Sequence, residues 1–263
     1  GWNHMGNMDI ARQMIVAAKE SGADFAKFQT WHVKNLKSGP WDNDGRREIY
    51  TKAELTNDKH KQLIEICNEV GIPFLTSVFN PDDVHFVSTL IDNIKIPSSE
   101  MKNEKLILEI VKHFKSKNNH HIFMSTGSST WEEINNMVNI LKNNNMNFSI
   151  LHCVSAYPCP PEICNLDKIN ELKKLHTSVG YSGHCFGIND AIVSLEYNID
   201  VIEKHFTIDH ELPGRDNQFA ILPHELKQLC DLRNDRDKLK KFLGKKYLEN
   251  ESDNRNIYGG RWG

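Results

Sequence analysis

Two short segments hold the side chains best suited to chemistry: Gly180-Tyr181-Ser182-Gly183-His184 and Val201-Ile202-Glu203-Lys204-His205-Phe206-Thr207. Each has the form of a short buried strand that ends in polar groups. A two-residue side-chain period puts Ser182 and His184 on one face, and likewise Glu203 and His205. Two strands then offer imidazoles to one pocket. Imidazole and carboxylate ligands suit manganese, zinc or iron, and an open coordination position would let the ion polarise a carbonyl. Taken singly, the same histidines are ordinary hydrogen-bonded structural residues, and on these residues alone both readings stand. His152, after Ile150-Leu151, is a third candidate, but its parity is opposite to that of Cys153 and its direction stays open.

Other polar residues gather where apolar runs end. Lys27 and Gln29 share a face of DFAKFQT, Lys95 sits between Ile94 and Ile96, and Ser98, Ser99, Ser125, Thr126 and Ser182 follow at later run ends. Two lysines and several hydroxyls at one mouth would suit a small, multiply charged anion such as a phosphorylated carboxylate. An isolated lysine is more often a solvated surface group. Lys95 resists that reading, because burying an unpaired ammonium between two isoleucines is costly.

The elements that must position these groups alternate. Residues 24–30, 73–79, 93–98, 121–126, 148–154, 177–182 and 200–206 have strand character, and 8–21, 57–70, 103–115, 130–143, 165–175, 187–197 and 223–242 have helical periodicity. Thr130-Trp131-Glu132-Glu133 carries the capping-box pattern, and Gly22 and Gly71 stand where left-handed helix caps are expected. Such alternation argues a parallel sheet covered by helices, and polar residues at strand ends lie on the side where such folds build sites. A (β/α)8 barrel and a doubly wound sheet both remain open. Residues 244–263, rich in Asn, Gly and charge, have no core-forming period and are expected outside the core.

Composition narrows the function. A chain of 263 residues, 39% hydrophobic and 25% charged, can bury one large core. A formal charge of −3 leaves no basic footprint for nucleic acid. No apolar run reaches membrane-spanning length, and the chain opens without a signal-peptide pattern, so a cytoplasmic protein is expected. Six cysteines, at 67, 153, 159, 164, 185 and 230, show no C-x-x-C pairing and suit a reducing compartment as small buried hydrophobes, with Cys153 and Cys185 beside the polar strand ends.

The strings Gly1-Trp2-Asn3-His4-Met5-Gly6, Lys27-Phe28-Gln29-Thr30, Lys95-Ile96-Pro97-Ser98-Ser99-Glu100, Ser125-Thr126-Gly127, His152-Cys153-Val154-Ser155-Ala156-Tyr157-Pro158, Gly180 to His184 and Glu203 to Thr207 occur in one order along nearly the whole chain. Together they resemble the sialic acid synthase family, which includes synthases of N-acetylneuraminate, legionaminate and pseudaminate. The resemblance implies a (β/α)8 TIM barrel over 1–243 that condenses phosphoenolpyruvate with an N-acetylated amino sugar. The acceptor would be N-acetylmannosamine or a 6-deoxy diacetamido hexose, and the products a nonulosonic acid and phosphate. It also implies a divalent cofactor, Mn2+ or Mg2+, on His184 and His205. Phosphoenolpyruvate falls to Lys27, Ser77, Lys95, Ser98, Ser125 and Ser182, and the sugar to Gln29, Glu100, Tyr157 and Asp216. Glu203, Lys27 and Lys95 take the catalytic roles, and the complete protein is expected to be a homodimer without nucleic-acid or membrane partners. A metal-dependent barrel aldolase or hydrolase, and a non-catalytic sugar-binding relative, are the competing classes.

The chain also departs from the family pattern. Pro213-Gly214-Arg215-Asp216-Asn217 stands where Gly-Pro-Asp-His is frequent, which bears on sugar recognition, and Pro97-Ser98-Ser99 stands where glycine is common. Only seven strands are readable, so the expectation is a barrel lacking its first strand and the glutamate that strand carries. A C-terminal antifreeze-like domain is also not read here. Such a chain should melt poorly and turn over little until an upstream strand is supplied.

Overall fold

The computed structural model describes residues 1–240 and 249–261. Helix α1 (Met8–Glu20) starts at Asn7, whose side chain accepts from the amides of Asp9 and Ile10, and strand β1 (Ala26–Thr30) follows. The chain continues through α2 (Arg46–Ala53), α3 (Asn57–Val70), β2 (Phe74–Val78), α4 (Pro81–Leu90), β3 (Asn93–Ile96), α5 (Glu104–Phe114) and β4 (His121–Ser125). The second half holds α6 (Trp131–Asn143), β5 (Phe148–Cys153), α7 (Lys168–Leu175), β6 (Val179–Gly183), α8 (Asn189–Ser194), β7 (Val201–Lys204) and α9 (Pro223–Lys240). All seven strands pair in parallel, in the order β1 to β7. The parallel sheet curls as a barrel wall does and excludes the doubly wound alternative, whose strand order would reverse.

Two apolar layers hold this wall. Outside, Ile94, Ile96, Ile122, Met124, Phe148 and Ile150 pack against helical residues such as Leu106, Ile110, Ile134 and Leu141. Inside, Leu75, Phe123 and Leu151 meet Phe25 and Val201 and plug one end of the curl. Gly180 belongs to this inner level by necessity, since a Cβ there would stand 2.6 Å from Leu151 Cδ2 and 2.5 Å from Val201 O. Two residues further along the strands, the same inward face becomes polar at Lys27, Ser77, Ser125, Cys153, Ser182 and Glu203. The apolar plug is therefore the floor of the candidate site.

Strands β1 and β7 do not pair with each other. A cavity of about 760 Å³ lies at this seam, lined by Phe25, Ala26, Phe28, Val201, Ile202 and Phe206 among others. At its polar end the first residues cross the gap: Gly1 N donates to Lys27 O at 2.7 Å, and Asn3 Nδ2 to Phe206 O at 2.8 Å.

Several expectations need correction. Helix α4 was not expected over 81–90, although Asn80 caps it and Pro81 opens it, a legible start signal. The short helix α2, polar on most faces, was also missed. The predicted helix over 165–175 begins only at Lys168, and that over 187–197 divides into α8 and a 3-10 turn at Leu195–Tyr197. Of the expected tail, 244–248 and 262–263 lie outside the described residues, as do 241–243 of the barrel range. The described tail residues form a 3-10 turn, Glu249–Glu251, and a largely exposed helix α10 (Ser252–Tyr258).

Candidate active site

The polar layer is one connected network. Lys27 Nζ donates to Ser77 Oγ at 3.3 Å and lies 3.4 Å from Glu203 Oε1. Lys95 Nζ donates to Ser125 Oγ at 2.5 Å and lies 3.0 Å from Glu203 Oε2. Ser182 Oγ donates to Glu203 Oε1 at 3.3 Å. Six of the residues singled out in the sequence thus converge from β1, β2, β3, β4, β6 and β7. Ser98 joins at the rim, where its hydroxyl accepts from Gly127 N at 3.1 Å and approaches Cys153 Sγ at 3.4 Å. A Cβ at Gly127 would stand 2.8 Å from that hydroxyl, so the close backbone approach requires glycine.

The electrostatics follow from burial and neighbours. Burial opposes the charge on Glu203, but Lys27 and Lys95 outweigh it and hold the carboxyl well below the usual range. Lys95 is only 2% exposed, and burial lowers its pKa while Glu203 pulls the other way. Two ammoniums facing one carboxylate leave the layer with an excess positive charge, a receptor for an anion with more than one negative group.

The imidazoles lie one step further along β6 and β7. Their ring centroids are 5.4 Å apart. His184 Nδ1 donates to Val154 O at 2.8 Å, which directs Nε2 to act as a free acceptor. His205 Nδ1 is buried without a hydrogen-bond partner, 3.5 Å from Asp216 Oδ2. Burial lowers both pKa values, with His184 adding to the effect on His205, so both rings are neutral donors near pH 7. A neutral pair with an orphaned buried nitrogen fits a divalent cation, and Asp216 stands beside it.

The residues expected around a sugar divide. The Tyr157 ring lies 4.2 Å from that of His184 and 6.1 Å from that of His205, which places it at the metal candidate. Asp216 is held by the Trp2 side chain, a contact that sequence reading had not anticipated. Gln29 shares the Lys27 face of β1. Glu100 accepts from Asn103 Nδ2 at 2.9 Å on its own turn and is not drawn into the network. Asn217, where a histidine is frequent, is a scaffold residue: it accepts from Thr207 Oγ1 at 2.6 Å and donates to Pro213 O at 2.7 Å. His152 is not part of the site, because it faces the helical layer and bonds Cys164 O at 2.7 Å. Cys153 takes the inward position instead, and the parity of β5 would have shown this once Leu151 was placed on the floor.

The model of the NeuB family matches residues 14–246. The chain belongs to the NeuB family. Among curated relatives, an N,N'-diacetyllegionaminic acid synthase of Campylobacter jejuni is 34% identical over 98% of this chain and 80% of its own length. A pseudaminic acid synthase of the same species is 33% identical over 87% of this chain and 69% of its own length. The crystal structure of an N-acetylneuraminic acid synthetase from Leptospira borgpetersenii, in complex with citrate, superposes with a TM-score of 0.86 at 25% identity, covering 100% of this chain and 90% of that one. A truncated 3-deoxy-D-arabino-heptulosonate 7-phosphate synthase of Thermotoga maritima, 13% identical with a TM-score of 0.67, shares the fold. NeuB-family membership accords with the barrel-type wall and with the order of the motifs along the chain.

Proposed function

We propose that this NeuB-family chain condenses phosphoenolpyruvate with an N-acetylated amino sugar in its open-chain aldehyde form, releasing phosphate. The observation that carries the reading is the layer in which Lys27 and Lys95 face Glu203 while Ser77, Ser125 and Ser182 surround them. Phosphoenolpyruvate brings a carboxylate and a phosphate, and the two ammoniums neutralise it while the serines orient it. As the lysines turn to the anion, Glu203 is released to accept a hydrogen bond from water. His184 and His205 would hold Mn2+ or Mg2+, which supplies Lewis acidity toward the aldehyde oxygen when bound. Tyr157 and Asp216, with Gln29 and Glu100 further out, contact the sugar. The enol C3 forms the new bond to the aldehyde carbon, water adds at C2, and the C2–O bond to phosphate breaks. The reading carries with it a cytoplasmic location and a homodimeric state.

The test is incubation with phosphoenolpyruvate, Mn2+ and a panel of N-acetylated amino sugars, reading inorganic phosphate alongside calorimetric binding of phosphoenolpyruvate. Sugar-dependent phosphate release supports the reading. Metal-activated sugar cleavage without it would favour an aldolase or hydrolase. Failure to bind phosphoenolpyruvate would overturn the proposal outright.

A further inference from the structure

A second cluster of metal-ligating side chains lies behind the imidazoles. Cys159 and Cys164 come from the loop after β5, and Cys185 follows His184 at the end of β6. Their three Sγ atoms all lie within 4.8 Å of one another, with Cys164 to Cys185 at 3.0 Å and Cys159 to Cys164 at 3.9 Å. A metal–thiolate bond of ~2.3 Å places sulfurs roughly 3.8 to 4.0 Å apart in tetrahedral or trigonal geometry. The Cys159–Cys164 edge matches that spacing and the Cys164–Cys185 edge is shorter, so a small side-chain rotation that parts Cys164 from Cys185 would centre an ion. All three are free thiols, and 3.0 Å is far beyond the ~2.0 Å of a disulfide.

The surroundings select for a soft ion. The three cysteines are at most 5% exposed and pack among Val154, Ala156 and Leu166. The oxygens beside the sulfurs are Pro160 O, 3.5 Å from Cys159 Sγ and 3.8 Å from Cys164 Sγ, and the Tyr181 hydroxyl, 3.8 Å from Cys164 Sγ. Hard ions such as Mn2+ and Mg2+ want oxygen, whereas thiolates select zinc or monovalent copper. The strand end that carries Cys185 is anchored by a buried, already neutral ion pair: Lys204 Nζ donates to Cys185 O and to both oxygens of Asp190, each at 3.0 Å, and Tyr181 OH donates to Asp190 Oδ2 at 2.9 Å.

We infer that Cys159, Cys164 and Cys185 form a binding site for a soft d10 cation, Zn2+ or Cu+, separate from the ion assigned to the imidazoles. On binding, each thiol gives its proton to solvent and three sulfur–metal bonds form, with no change of oxidation state. The ion ties the loop that carries Tyr157 to the strand end that carries His184, and Cys159 N already donates to His184 O at 3.0 Å along the same path. It is a brace for those two rings rather than a participant in the reaction.

The test uses reduced protein kept free of air and titrated with Cd2+ alone, reading the ultraviolet thiolate-to-metal charge-transfer band. A saturable one-to-one band is expected, together with a rise in melting temperature. The Cys159→Ser/Cys164→Ser/Cys185→Ser variant should lose both, and a Cys67→Ser/Cys230→Ser variant should keep both. If the triple variant does not fold, Cys159→Ala alone should weaken Cd2+ binding roughly tenfold or more. Metal analysis after growth with zinc or with copper distinguishes the two ions. The assignment is overturned by the absence of a saturable band, by a band unchanged in the cluster variants, or by recovery of a Cys164–Cys185 disulfide from air-free protein that holds no metal.

Discussion

Lys95 Nζ stands 3.0 Å from Glu203 Oε2, joining the third strand to the seventh across the interior of the curled sheet. The pair is buried at its lysine end, where an uncompensated ammonium would be expensive. Glu203 therefore supplies the counter-charge of both lysines.

Replacing Lys95 or Lys27 by methionine keeps much of the stem and removes the charge. Loss of one charge-assisted contact, worth about 1.5 to 3 kcal/mol, should weaken phosphoenolpyruvate by roughly 10- to 100-fold. Sugar affinity should change little. Calorimetry with unaltered phosphoenolpyruvate affinity in both variants would remove the lysines from the anion site.

His184→Ala and His205→Ala should each lose Mn2+ while the lysine variants retain it. Electron paramagnetic resonance of free Mn2+ in equilibrium with each protein reads this directly. Folded variants that bind manganese like the parent would show that the imidazoles are structural.

Acid should destabilise the fold through its buried histidines. Burial lowers His4 to about 3, and His60, His121, His152 and His176 shift in the same direction for the same first cause. Between pH 6.5 and 3 the unfolded chain therefore holds more protons on His4 than the folded one, and stability falls as pH drops through that window. By pH 5, His4, 1% exposed, should cost about 2 kcal/mol. Melting temperatures should hold from pH 7.5 to about 6.5 and fall progressively from there to 4.5, and less steeply in a folded His4→Gln variant.

The seam predicts a response to an added strand. Among the described residues β1 and β7 leave strand edges open along an apolar-lined cavity of about 760 Å³, and these edges can both donate and accept backbone hydrogen bonds. Extending the chain before Gly1 with a short apolar strand ending in a Glu-Ile dipeptide should raise the melting temperature and sharpen the transition. An unchanged melt would mean that the Gly1 to Asn3 crossing already satisfies the two edges.

Much of the site was legible because strand parity is rigid: once Glu203 pointed inward, His205 had to follow, and Ser182 carried His184 with it. What parity could not show were partners that depend on loops. Asn217 became a scaffold residue through contacts to Thr207 and Pro213, and Trp2 reached Asp216. The cysteine trio escaped notice because its spacing matches no local motif, and only the fold brings 185 back to 159 and 164. Helix α4 was missed for a different reason: at 10 residues it is too short to show a clear period, and the signal lay in Asn80-Pro81.

The sheet is ordered as the chain is ordered, and this bears on how the molecule assembles. Each strand pairs with its predecessor after a short excursion, so a nascent chain can add one βα unit at a time with little loop-closure entropy. The contacts that span almost the whole length, Asn3 to Phe206, Asn217 to Asn3 and Arg233 to Asp24, all join the two ends of the sheet. Glu203 arrives with that last unit. Until it does, Lys27 and Lys95 lack the carboxylate they share, so the charged layer forms only when the seventh strand joins the sheet.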